Sequence, residues 1–299
     1  MTTPELDINR YLQHSVYDLL SLKGRTVVIT GGARGLGLAF ALAVAEVGGN
    51  VAILDAAEKP HEHFYKIQKE FDVKFEFYRT DVTDYATLKA SFDQVVADFG
   101  RIDGLQVLSQ SHNQISTLLT VSSITAAGIC PDEPFLERSP ESVARCMNIN
   151  VLGTYYAAQL AAAQMDKQEA TDFNPRGGSI VMIASIAAYV ASKGQTTSDY
   201  CASKGAVLSL AKALGVELAG KGIRVNSISP GYMATDMTLD ICKRYPWLGD
   251  IMKNEPPMRR MGDRTDLKVP VVYLLSQASA YHTSDDILIT GGIHAGRLM

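Results

Sequence analysis

Tyr200-Cys201-Ala202-Ser203-Lys204 sets a phenol and an amine four positions apart, with Ser185 fifteen residues upstream. On a helix, residues at that spacing share one face and their side chains meet. A free tyrosine titrates near ~10. A fixed ammonium beside the phenol favours the phenolate and brings the proton exchange toward neutral pH. That is the chemistry of a general acid and base. One lysine need not supply the whole effect, and a second positive charge nearby would add to it. Taken alone, such a pair is more often a surface tyrosine next to a solvated lysine. Its meaning depends on what else the chain carries.

Near the N-terminus stands Thr30-Gly31-Gly32-Ala33-Arg34-Gly35-Leu36-Gly37. It follows the β-branched run Arg25–Thr30 and opens the apolar stretch from Leu36 to Val47. Strand, glycine turn and helix together are the context a dinucleotide fingerprint requires. Glycines allow close approach of a pyrophosphate, and a helix N-terminus offers it free N–H groups. The spacing lacks the lysine of an ATP-binding loop, which disfavours ATP.

The combination resembles the short-chain dehydrogenase/reductase family in its TGxxxGxG and YxxxK form, and the resemblance runs from about Leu22 to Ala295. It implies an oxidoreductase that moves a hydride between a nicotinamide cofactor and a secondary alcohol or ketone. By matched position, Ser185 would bond the substrate oxygen, and Ala187 leaves it as the sole serine there. Tyr200 would be the acid in reduction and the base in oxidation. Lys204 would lower its pKa and hold the nicotinamide ribose. Asn150, in Asn148-Ile149-Asn150, would hold a water behind the lysine. The cofactor would lie on Gly31, Arg34, Gly35, Leu36 and Gly37, on Asp81 and Val82 for adenine, and on Ala127 and Gly128. Tyr200, Lys204, Pro230, Gly231 and Thr235 would flank the nicotinamide end. Thr125 and Ala126 replace the asparagines usual before Ala127-Gly128, and Thr290 replaces an aspartate usual near the C-terminus.

Asp55 ends the second strand, twenty-four residues after Gly31. A carboxylate there accepts from a ribose 2′-hydroxyl and repels a 2′-phosphate. Arg34 could instead pair with that phosphate. The direct repulsion favours NAD(H), with NADP(H) the alternative.

The elements that must position these residues alternate. Strands are expected at Arg25–Thr30, Asn50–Leu54, Lys74–Arg79, Gly104–Leu108, Ser179–Ala184, Ile223–Ser229 and Ile287–Thr290. Helical patterns lie near 36–47, 60–71, 85–99, 140–166, 198–220 and 265–278. Alternation of this kind implies an α/β fold: a Rossmann-type, doubly wound parallel sheet of about seven strands with helices on both faces. An arm over 1–23 precedes a single domain over 24–299.

One stretch interrupts the pattern. Family members run from an Ile-Asp-x-Leu strand directly into an Asn-Asn-Ala-Gly-like turn. Here Ile102-Asp103-Gly104-Leu105 is separated from that turn by about eighteen residues, 106–123. The segment is either a surface loop or a read-through short intron; its length is a whole number of codons in the range of fungal introns. The second reading is preferred.

Bulk properties narrow the class. The 299 residues are 46% hydrophobic and 20% charged, with formal net charge −4. Nothing suggests a nucleic-acid surface, a membrane span or a secretory signal, and a cytoplasmic location follows by default. Four cysteines without CxxC spacing read as reduced thiols. His61 and His63 read as solvated, so no metal is expected.

Within the family, the arm and the tail Thr290–Ala295 are similar to fungal polyol and sugar-ketone reductases, the mannitol, sorbose and arabinitol enzymes. The segment Tyr232–Gly262, with Met233, Met237, Trp247, Met252, Met258 and Met261, suits an apolar lid, and equally a self-packed helix pair. It leaves a larger secondary-metabolite ketone as the alternative substrate. The resemblance also implies a homodimer or homotetramer built on helices 140–166 and 198–220. Outside this class stand a hydrolase using Ser185, disfavoured by the lack of a GxSxG elbow, and a non-catalytic dinucleotide sensor or scaffold.

Overall fold

The structure is a computed structural model that describes residues 9, 12–108, 123–124, 130–170 and 177–296. A short helix α1 (Val16–Leu20), closed by a Ser15/Asp18 capping box, precedes the first strand. There follow β1 (Thr26–Thr30), α2 (Gly35–Glu46), β2 (Asn50–Asp55), α3 (His63–Glu70), β3 (Phe75–Arg79), α4 (Tyr85–Phe99) and β4 (Gly104–Val107). A two-residue antiparallel pair, β5 (Ser123–Ile124) with β6 (Cys130–Pro131), leads to α5 (Pro140–Met147), α6 (Gly153–Met165), β7 (Gly178–Ile183) and α7 (Ser198–Glu217). The chain closes with β8 (Ile223–Pro230), α8 (Asp236–Arg244), α9 (Pro246–Asn254), α10 (Lys268–Leu275) and β9 (Asp286–Ile289).

Seven strands form one parallel sheet in the order β3-β2-β1-β4-β7-β8-β9. β1 lies between β2 and β4, so the winding direction reverses there. The crevice beyond the carboxyl ends of β1 and β4 is where such sheets take ligands. Strand residues alternate between two apolar layers. Val27 and Ile29 face a layer with α2, α3 and α10, whereas Val28 faces one with α4, α6 and α7. All five residues of β1 are buried, as expected of a central parallel strand covered on both sides.

The helix expected over 140–166 is interrupted. Between α5 and α6 the turn Asn148–Leu152 is π-helical. Close packing marks its end: a Cβ on Gly153 would stand 2.7 Å from Val82 Cγ2. The helix expected from residue 265 begins instead at Lys268, after a 3-10 turn over Arg264–Leu267 capped by Asp263. Within the methionine-rich segment, residues 236–254 fold into α8 and α9. Thr235 caps the first and Pro246 opens the second.

β4 carries an unexpected residue. Gln106 is fully buried, and neither atom of its side-chain amide has a hydrogen-bond partner among the described residues. It is the first residue of the 106–123 segment, of which 109–122 lie outside the described residues. A buried amide without partners is costly, and a native core strand seldom holds one.

Candidate active site

The glycine turn forms as its spacing requires. Gly31 and Gly35 take left-handed backbone angles, φ +66° and +59°. A Cβ on Gly37 would stand 2.2 Å from the Gly31 carbonyl oxygen. The first turn of α2 therefore packs on the backbone of the preceding loop, and only glycine permits it. Leu36 is buried and Arg34 exposed. At the end of β2, Asp55 is buried, and its carboxylate accepts the Ala33 N–H at 3.0 Å and the Ala57 N–H at 2.9 Å. One anionic acceptor thus ties the glycine turn to the following loop. At the end of β3, Asp81 accepts from the Thr83 N–H and hydroxyl, and Val82 is buried. Pro230 ends β8, and a Cβ on Gly231 would come within 2.9 Å of the Thr290 Cα. Thr235 is buried, with its hydroxyl already bonded to Thr238 Oγ1 at 2.9 Å and capping α8. Ala127 and Gly128 lie outside the described residues. The close glycine turn and the Asp55 acceptor at the ends of β1 and β2 fit a dinucleotide.

The second half of the site forms at the end of β7. Ser185, one residue past Ala184, is extended (φ −170°) and caps the 3-10 turn Ile186–Ala188 by accepting the Ala187 N–H at 3.1 Å. Tyr200 and Lys204 lie one turn apart on α7, both buried. Lys204 Nζ donates to the Ile183 carbonyl at 2.9 Å and stands 5.6 Å from the centre of the Tyr200 ring. Asn150, within the π turn, is fully buried; its amide donates to Ser203 Oγ at 2.9 Å, and Ser203 in turn donates to the Tyr200 carbonyl at 2.8 Å. The structure thus brings Asn150, Ser185, Tyr200 and Lys204 into one cluster.

The electrostatics correct one expectation. Burial pushes the Tyr200 phenol up, not down; hydrogen bonding with Ser185 opposes the rise without offsetting it. Nearby thiols, Cys130 foremost, add to it. Burial also brings Lys204 down to about 8. The amine donates to a backbone carbonyl and lies over the ring, and burial dominates at the phenol, so Lys204 does not by itself supply a phenolate at neutral pH.

The sequence motifs assign no role to two groups that the structure brings to the cluster. Ser203 joins Asn150 to the helix carrying Tyr200; its place before Lys204 is a usable signal. Arg138 and Asp199 form a buried ion pair at 2.5 Å beside Tyr200, and no local pattern links them.

The family model described as enoyl-(acyl carrier protein) reductase matches residues 31–294. The chain belongs to the short-chain dehydrogenase/reductase family. An NADP-dependent mannitol dehydrogenase of Hypocrea jecorina is 33% identical over 296 residues, covering 98% of each chain. A sorbose reductase of Schizosaccharomyces pombe is 33% identical and covers 92% of this chain and 97% of its own. Among solved structures, the NADPH-dependent 3-quinuclidinone reductase of Rhodotorula rubra superposes with TM-score 0.80 at 30% identity, covering 98% of this chain and 97% of that one. This short-chain dehydrogenase/reductase is therefore an NAD(P)-dependent oxidoreductase acting on alcohols or ketones. Its described residues contain no helix long and apolar enough to cross a membrane.

Proposed function

We propose that the enzyme interconverts a polyol and its sugar ketone, with Tyr200 as the proton carrier. The observation that carries this reading is the convergence of Ser185, Tyr200 and Lys204 at the end of β7, two strands from β1 and its glycine turn in the same parallel sheet. The mannitol and sorbose enzymes among its relatives supply the substrate class.

When bound, the nicotinamide accepts or delivers the hydride and adds a positive charge in its oxidised form. Ser185 would hold the substrate oxygen. Tyr200 would give that oxygen a proton in reduction and remove it in oxidation. Lys204, Asn150 and Ser203 would keep Tyr200 in register, with Lys204 and Asn150 continuing the proton path away from the substrate. Because burial alone raises the phenol, Tyr200 would enter its working range only in the assembled complex, where a cationic ring lies nearby.

NAD(H) is the preferred cofactor on this reading, because the Asp55 carboxylate is fixed by two backbone N–H groups and cannot turn away from a 2′-phosphate. Arg34 is the counterweight, and NADP(H) the cofactor in the names of several relatives. Michaelis constants for both cofactors, in wild type and Asp55→Ala, test this. A wild type that prefers NADPH overturns it.

Turnover followed at 340 nm across polyols and ketones tests the substrate class. Activity confined to larger ketones would favour the alternative, which rests on the exposed Trp247 and Met258 of the Tyr232–Gly262 segment. Met252 and Met261 instead pack with Ile241 and Leu248 inside the α8–α9 pair. Cofactor binding without any turnover would favour a sensor. Self-association would use α6 and α7, along which Tyr155 and Leu214 line a groove.

A further inference from the structure

Arg138 lies in the loop before α5, and Asp199 in the first turn of α7, sixty-one residues later. Their charged groups meet at 2.5 Å with each side chain only 2% exposed. The guanidinium also donates through Nη2 to the Glu133 carbonyl at 2.8 Å and to the Thr196 carbonyl at 2.6 Å. Asp199 Oδ1 accepts the backbone N–H of Tyr200 itself at 2.7 Å. Asp132 reinforces the junction by accepting the Thr196 N–H and hydroxyl at 2.7 and 2.8 Å. One fork of hydrogen bonds therefore fixes the chain from Thr196 to Tyr200 against the 132–138 segment.

A buried ion pair is weak evidence for stability, since desolvating two charges offsets most of their attraction. Its best-supported use is to hold a register. Here the register is that of Tyr200. The carboxylate also reaches into the pocket: burial pushes the Cys130 and Cys146 thiols up, and the charge of Asp199 adds to the rise.

We infer that Arg138 and Asp199 are a positioning pair for Tyr200: the guanidinium both anchors the start of α7 and neutralises a carboxylate that would otherwise oppose ionisation of the phenol. The inference rests on the reading of Tyr200 as proton carrier. Other charged or titratable groups around Tyr200 are Lys204 and Cys201 on α7, Cys146 on α5, and Cys130 before it. They are unchanged in the variants below.

The test is the pH profile of kcat for alcohol oxidation. Arg138→Gln leaves a lone buried carboxylate, and the midpoint moves up by about one pH unit, a roughly tenfold loss on the acid limb. Asp199→Asn leaves a lone guanidinium, and the midpoint moves down. The double variant returns it toward wild type. A merely structural role lowers activity or stability in each variant without moving the midpoint in opposite directions. Both single variants at the wild-type midpoint would overturn the inference. If Arg138→Gln does not fold, Asp199→Asn decides alone: a wild-type midpoint in it is the overturning result. Tyr200→Phe separates the two levels. Wild-type turnover in Tyr200→Phe sinks the proton-carrier reading; an inactive Tyr200→Phe with unshifted midpoints sinks only the role of the pair.

Discussion

The glycine-turn half of the site and the Tyr200 half are held by different means. From Gly31 to Asp55 the site is built mostly from local backbone: two left-handed glycines, a third with no room for a Cβ, and a carboxylate that ties the Ala57 N–H beside it to the Ala33 N–H of the paired strand's turn. Around Tyr200 the partners come from afar. Asn150 reaches Ser203, and Arg138 reaches Asp199. A local turn is specified by backbone conformation and tolerates change elsewhere. A cluster assembled across several elements depends on every one of them, and its electrostatics follow burial more than any single neighbour.

The largest expected effect is in the second half. Tyr200→Phe should lower turnover by about 10²–10⁴-fold, the usual worth of a positioned acid–base group. Cofactor affinity, measured by fluorescence titration, should change little. Equal loss of both would mean that the two halves do not separate.

Gly37→Val should do the reverse. A side chain there meets the Gly31 carbonyl oxygen, so the turn must open and cofactor affinity should fall by about tenfold or more. The variant should keep its fold by circular dichroism. Unchanged cofactor affinity would show that the turn does not carry the cofactor.

A third experiment concerns the sheet that joins the halves. Deleting 106–123 connects Leu105 to Ile124 and places an aliphatic residue in the register of Gln106. Removing a buried amide that has no partner among the described residues should stabilise the protein by about 1–3 kcal/mol, read as a raised Tm. A lowered Tm would mark the segment as a working part of the fold.

The smallest effect is a pH dependence. The folded Lys204 titrates at about 8, below the ordinary lysine value. Below pH 8 both folded and unfolded states carry its proton, and burying the charge weakens folding fully. Between about 8 and 10.5 only the unfolded state keeps the proton, so this contribution to stability rises with pH. Urea denaturation of wild type and Lys204→Met should therefore show an advantage for the variant that shrinks as pH rises through that window. A difference independent of pH would contradict the buried amine.

Much of the fold and site is legible in the chain alone. The seven strands and their parallel arrangement follow from alternation of apolar runs, and the glycine turn from spacing; the order of the strands does not. The four residues of the candidate cluster are each visible as part of a short motif. The π turn at Asn148–Leu152 is not, because the contact that marks its end joins Gly153 to Val82, some seventy residues away. The bounds of α8 and α9 are not legible either, although their caps are present, since a methionine-rich stretch gives no clean helical stripe. The direction of the Tyr200 shift runs against the sequence expectation because four-residue spacing reports proximity to an ammonium but says nothing of how much water is excluded.

The sequence by itself determined which groups exist and which share a turn of helix or a loop: the glycines that close on one another, Asp55 at a strand end, Tyr200 one turn before Lys204. These are matters of covalent spacing and backbone sterics, which act over a few residues. Tertiary structure alone decided that Arg138 meets Asp199, that Asn150 holds Ser203, and that burial outweighs Lys204 at the phenol. Those outcomes depend on distances across the fold and on exclusion of solvent, and neither is encoded in any short stretch of chain.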